Sequence, residues 1–249
     1  MKIYFTLALF TVLFLSCKEE VNSPANEVQL ESIVSEFLGR DASILFEYDT
    51  LDRLARVEDH FERERIEYAY TINTLEKIFT YDSLGQLISL DSVTYHQNGQ
   101  IEKLYRYFTD DNGHLKEIII YEYVYNTDGR IERLISINPS SGATMAYKTY
   151  AWLNGNISHI NEYSGNDHLF IEYSFEYDHQ LNYRWHNPYY YFDPQYTTDN
   201  NVVKATLKDH TGLYNGICNP CLLSYLYNTS GYPTWFKYEG GTEKFINYR

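Results

Sequence analysis

Cys218-Asn219-Pro220-Cys221 is the one spacing in this chain that suggests redox or metal chemistry. Thioredoxin-type exchange wants such a pair at a helix N-terminus after a strand, and no βαβ pattern surrounds this one. Zinc would need a second ligand pair, which is missing, so no metal is expected. The favoured reading is a local disulfide between Cys218 and Cys221, worth about 2 kcal/mol in loop entropy. No other catalytic constellation stands. A nucleophile elbow, a P-loop, a dinucleotide-binding glycine pattern and a His-Glu-x-x-His motif are all absent. Asp110-Asp111-Asn112-Gly113 lacks the further acids of a calcium loop and reads as a hairpin turn. Most other acids fall in turns or on the wet face of strands. A hydrolase with two carboxylates facing across a cleft is the weaker alternative. Neither catalytic residues nor cofactors are assigned. The chemistry left is stacking: Trp185, Tyr189, Tyr190, Tyr191 and Trp235 could pack against sugar rings.

Elements that could position such residues begin at the N-terminus. After Met1-Lys2 runs an apolar stretch from Ile3 to Phe14, then Leu15-Ser16-Cys17 and Lys18-Glu19-Glu20. The stretch is too short to span a bilayer comfortably and reads as a secretory signal over residues 1–16. Phe14-Leu15-Ser16-Cys17 resembles the lipobox of bacterial lipoproteins, and Lys18-Glu19-Glu20 resembles the surface-export signal of Bacteroidota lipoproteins. The resemblance covers the first twenty residues. It implies cleavage before Cys17, acylation of its thiol, and attachment to the outer membrane, with the cell surface favoured over a periplasm-facing position. At about 0.8 kcal/mol per buried methylene, several acyl chains make a lasting anchor.

Composition excludes some partners. The formal charge is −14 and no basic block occurs, which argues against nucleic acid. The same sign disfavours anionic lipid heads as a partner beyond the acyl anchor. Tyrosine is abundant, at 27 residues, and favours strands whose rings pack across a pleated face.

A repeat organises the rest. Its copies include Phe46-Glu47-Tyr48-Asp49, Phe79-Thr80-Tyr81-Asp82-Ser83-Leu84-Gly85, Val93-Thr94-Tyr95-His96, Tyr123-Val124-Tyr125-Asn126-Thr127-Asp128-Gly129 and Tyr225-Leu226-Tyr227-Asn228-Thr229-Ser230-Gly231. In most copies Asp or Asn opens the turn by accepting backbone hydrogen bonds, and a glycine three later takes the left-handed conformation. Rings one and three residues before the turn share a strand face, sheltered, while Glu47, Thr80, Thr94 and Glu176 face water. Ile171, Tyr173, Phe175 and Tyr177 continue the alternation. Beyond the glycine, apolar residues fall at plus two and plus five, as in Leu87 and Leu90 or Ile131 and Leu134. Either a bulge recurs or the second face is partly covered; cover by curling of the sheet is favoured. These copies resemble the YD repeats of RHS-type proteins over roughly residues 44 to 135 and again 225 to 238, and the ending resembles Bacteroidota lipoproteins carrying such repeats.

Three segments depart from the repeat. Residues 17–25 read as a polar tether. Residues 26–39 place Leu30, Ile33, Val34, Phe37 and Leu38 at helical spacing, with Asn26 and Gln29 as a capping box and Gly39 as a stop. That helix would cover an edge or end of the sheet. His186 to Asn201 reads as a long loop suited to binding. The expected fold is all-β: a long antiparallel meander of YD-like hairpins over 43–249, in a repeat part (43–186) and a C-terminal part (187–249). It would curl into an open barrel or sandwich-like layer with one short N-terminal helix. The expected function is non-catalytic binding at the envelope, with a glycan as one ligand class. A scaffolding role with an envelope protein is the alternative.

Overall fold

The computed structural model describes residues 29–37, 40–72, 74–182, 198–212 and 219–248. Every regular element there is a strand. The first eight are β1 (Leu30–Phe37), β2 (Arg40–Tyr48), β3 (Leu54–Asp59), β4 (Glu64–Thr71), β5 (Thr74–Tyr81), β6 (Leu87–Tyr95), β7 (Ile101–Thr109) and β8 (Leu115–Tyr125). Then come β9 (Ile131–Ile137), β10 (Thr144–Leu153), β11 (Asn156–Ser164), β12 (Leu169–Leu181), β13 (Asn200–Asp209), β14 (Cys221–Tyr227), β15 (Pro233–Tyr238) and β16 (Glu243–Tyr248). Each pairs antiparallel with its chain neighbours, and β16 pairs back onto β1. The sheet is therefore a closed barrel, not the open layer expected from the repeat. Strands from both sides of residue 187 belong to it.

Closure and the missing helix have one cause. Residues 30–37 form strand β1, which supplies the partner β16 needs. Leu30 and Ile33 are 3% and 6% exposed, and both face inward because the register shifts between Leu30 and Ser32. One extra residue in a strand creates the same i, i+3 coincidence as a helical turn. Ile33 and Val34, both β-branched, favour the strand.

That bulge recurs in all eight odd-numbered strands. Tyr125 pairs with Ile131 but Val124 pairs with Arg133, leaving Glu132 extra. The same shift separates Leu54 from Val57, Leu75 from Ile78, and Ile101 from Leu104. It recurs between Ile157 and Ile160, Val202 and Ala205, and Pro233 and Phe236. Recurring bulges, not curling, thus explain the plus-two and plus-five apolar residues. In the odd strands each bulge returns a second apolar side chain to the inner face; in β6 a like shift leaves Leu87 and Leu90 opposite the outward Tyr81 and Phe79.

The turns form as their sequence demands. Asp82 Oδ1 accepts from Leu84 N at 2.9 Å and Gln86 N at 2.8 Å, and Gly85 sits at φ +77. Successive turns lie at opposite ends of the barrel, and this corrects one expectation. Phe79 and Tyr81 precede a turn at the second end, where the alternation is reversed. Thr80 shares a face with Ile66 and buried Ile78, so the two rings point outward, with the Arg65 guanidinium 4.6 Å above Tyr81. At the first end the inward reading holds: Tyr123 is 3% exposed.

Candidate functional site

Two levels of the barrel interior are apolar and buried. Leu54, Val57, Leu75, Ile78, Phe236 and Ile246 fill one arc. Leu104, Leu134, Tyr150, Ile157 and Ile160 fill the other. All of them are buried. Beyond them, at the first end, a ring of aromatics makes a floor. Tyr48 donates to Leu30 O, Tyr70 to Leu54 O, Tyr95 to Leu75 O and Tyr125 to Ile101 O, at 2.7 to 2.9 Å. Trp152 Nε1 donates to Ile131 O, Tyr177 to Ile157 O, Tyr225 to Val202 O and Tyr248 to Pro233 O, at 2.7 to 2.9 Å. Each donor lies on an even strand, and each acceptor lies within the first three residues of the odd strand before it. One carbonyl near the start of each odd strand is thus satisfied by a ring instead of by water. Burial pushes the hydroxyls of Tyr70, Tyr95 and Tyr125 up to about 12.

Toward the second end the inner face turns polar. Arg106 donates to Asp91 through Nε at 2.8 Å and its terminal nitrogen at 2.7 Å, a bidentate pair one row above Val93 and Leu104. That hydrogen bond holds the guanidinium above its ordinary range. Lys148 meets Glu162 at 2.8 Å, in the row above Tyr150 and Ile160. Asp59, 6% exposed, caps the backbone of Phe61 and Glu62, both at 2.9 Å. Opposite it, burial, with the charges of Asp59 and Glu62, raises the Glu64 carboxyl. Phe108, on the same strand face as Arg106, is 42% exposed. This end is therefore a wet, charged mouth above a dry floor.

The outer wall carries ion pairs along its strands: Arg56–Glu47 at 2.7 Å, Lys103–Glu122 at 3.2 Å, Lys204–Glu176 at 2.6 Å and Lys208–Glu172 at 2.8 Å. An open groove of about 520 Å³ beside the His96–Gln100 turn includes Lys103 and Glu122, whose charges offset one another.

At the floor end, a frame of buried amides roots the connection between β12 and β13. Asn182 Nδ2 donates to Thr198 O at 2.9 Å, and Asn156 and Asn200 exchange bonds at 2.9 and 3.0 Å. Asn201 Nδ2 donates to Leu181 O at 2.8 Å. Tyr227 donates to Asp178 beside them, and burial raises its hydroxyl, with the Asp178 charge adding to the shift. The long-loop reading ends two residues late, because Asn200 and Asn201 already belong to β13.

Of the stacking candidates, Trp185, Tyr189, Tyr190 and Tyr191 lie outside the described residues, as do Cys17 and Cys218. Trp235 lies on the outer wall, where its Nε1 donates to Glu243 at 3.3 Å; it joins neither mouth nor floor. Cys221 opens β14 and is disulfide-bonded. Among the described residues no three metal-ligating side chains come together. Reading the residues in order missed the ion pairs of the mouth. The available signal was Asp91, a carboxylate at an inward position between Ser89 and Val93.

No family model matches the chain, and no curated protein matches it. Solved structures do. A porin-like protein from Bacteroides vulgatus matches with a TM-score of 0.55 at 10% identity, covering 90% of this chain and 99% of that one. A porin-like protein from Bacteroides uniformis matches at 0.52 and 10% identity, covering 88% and 97%. The chain has a porin-like barrel fold. At that identity the likeness reaches the fold and stops there.

Proposed function

We propose that this chain is a lipid-anchored envelope protein whose barrel stands in water and binds or docks, and neither conducts nor catalyses. One observation carries the reading: the polarity of the wall is the reverse of a membrane channel's. Membrane barrels are apolar outside and wet within, and a Lys or Arg facing lipid at the midplane costs about 2 to 4 kcal/mol. Here Arg56, Lys103, Lys204 and Lys208 lie on the outside, while Leu54, Val57, Leu104 and Ile157 close the inside. Sixteen-stranded porins keep an aqueous channel, whereas the inner face at this floor is lined by buried apolar and aromatic side chains. A planar-bilayer recording checks this directly. The full chain should give no conductance steps, and ohmic steps that scale with protein concentration would sink the proposal.

The anchor reading is supported by Cys17 after its apolar run. Cys17→Ser should abolish labelling by radioactive palmitate, and protease treatment of intact cells should digest a surface-exposed barrel. Against catalysis, Asp91 and Glu162 in the mouth are each engaged by a cation, and Asp59, opposite Glu64, is spent on the backbone amides of Phe61 and Glu62. For binding, the favoured place is the connection between β12 and β13, because its roots are held by a buried frame while its span carries Trp185 and Tyr189 to Tyr191. A glycan suits such rings. Tyr190→Ala should lower retention on a glycan array, whereas a stoichiometric protein co-purifying from solubilised membranes would favour the scaffolding role. The repeat's resemblance to YD hairpins is part of the same proposal, extended by the eight recurring bulges.

A further inference from the structure

We propose that the wall formed by β14, β15, β16 and β1 rests on the surface of the bilayer that holds the acyl anchor. This rests on the reading of Cys17 as a lipidation site. Cross-strand pairing sets Leu226 opposite Trp235, Trp235 opposite Phe245, and Phe245 opposite Val34. The four make one continuous outward row across the seam where the last strand meets the first. Leu226 is 61% exposed and Phe245 47%, with Leu222 at 42% on the same face of β14. The adjoining ion pair, Lys237–Glu243 at 3.2 Å, lies at the border of this row. An indole amid exposed Leu and Phe suits the boundary between headgroups and acyl chains, where an apolar body and a polar edge are both satisfied.

The occupant follows from the covalent chain. Cys17 lies thirteen residues before Leu30, so the anchor is at most about 45 Å from the start of β1. A barrel tethered that closely meets the bilayer continually, and the strand held by the tether is itself part of the apolar wall. The net charge of −14 opposes anionic headgroups, so the row fits a zwitterionic surface.

The test uses the full acylated protein reconstituted on phosphatidylcholine vesicles containing brominated phosphatidylcholine, read by flotation and by quenching of tryptophan emission. Wild type should float and be quenched. Trp235→Phe, which preserves bulk, should float equally well and lose at least half of the quenching. The pair Leu226→Ser and Phe245→Ser should float and be quenched less than wild type. Unchanged quenching in floating Trp235→Phe protein overturns the docked wall and leaves the anchor standing. Failure of wild type to float removes the anchor and the docked wall with it. A dimer in detergent that dissociates in Phe245→Ser would instead assign the row to a second copy of the chain and overturn the proposal.

Discussion

The β7–β8 and β13–β14 seams occupy equivalent places in the barrel and are built very differently. Along β7–β8 seven residues pair, and Tyr125 closes the floor end on Ile101 O. Along β13–β14 only Lys204 and Ala205 pair, with Leu222 and Cys221. The floor contact there comes from Tyr225, while Tyr227, which stands where Tyr125 stands, turns to Asp178. Near the mouth a side chain replaces the strand: Asn219 Oδ1 accepts from Leu207 N at 3.1 Å. The two longest connections, 182–199 and 210–220, flank β13. Regular hairpins thus make the wall, and the thinly paired seam is where the repeat yields to longer loops and a side-chain framework.

Four measurements can break or sharpen this contrast. The largest effect is expected in the regular wall: Leu104→Ala, at 1% exposure, should cost about 3 kcal/mol in urea unfolding. Leu223→Ala beside the thin seam, at a half-buried position, should cost about 1 kcal/mol, and equal losses would erase the distinction.

Next come the glycines. A Cβ on Gly155 would lie 1.7 Å from Asp199 Oδ2, at φ +83, whereas one on Gly85 would meet nothing, at φ +77. Gly155→Ala should cost about 2 kcal/mol or more and disturb the amide frame; Gly85→Ala should cost about 1 kcal/mol. A Gly155→Ala protein as stable as Gly85→Ala would show that Asp199 does not hold its place.

Smaller still, Tyr125→Phe should lose about 1 kcal/mol, the worth of one buried hydrogen bond. Tyr225→Phe should lose less, since its strand is already poorly paired to the acceptor side. Thermal melts of both variants decide the order.

The last expected effect is a slope. Tyr70, Tyr95 and Tyr125 have hydroxyls raised to about 12 in the folded chain, against about 10 when unfolded. Between those values the unfolded chain has lost protons that the folded chain still holds. The stabilisation is therefore complete below about pH 10 and disappears as pH rises toward about 12. Urea midpoints should fall across that window, and Tyr125→Phe should make the fall shallower. An unchanged slope in the variant would mean its hydroxyl titrates like an exposed one.

The turns were legible because their chemistry is local: Asp82, Leu84 and Gly85 lie within four residues. The bulges were half legible. Spacing such as Ile101 to Leu104 was visible, but spacing alone could not separate an extra residue from a covered second face, and at Leu30 to Phe37 it imitated a helix. The floor was hidden for another reason. Tyr125 and the carbonyl it meets are 24 residues apart, joined only when shear brings β7 and β8 into register. Asp91 and Arg106, 15 residues apart, posed the same difficulty. Of the binding candidates, Trp235 was visible as an aromatic, yet which wall it faces depended on closure.

The pairing of β16 with β1 has a consequence for how the molecule is made. Asn247 Nδ2 reaches Ser32 Oγ across 215 residues of sequence. During synthesis the edge of β1 must wait, with its amides and carbonyls bare, until the final strand arrives. A strand left waiting is a template for any passing partner. Stalled or shortened chains of this protein should therefore cling to one another, and the finished ring, having no ends, should not.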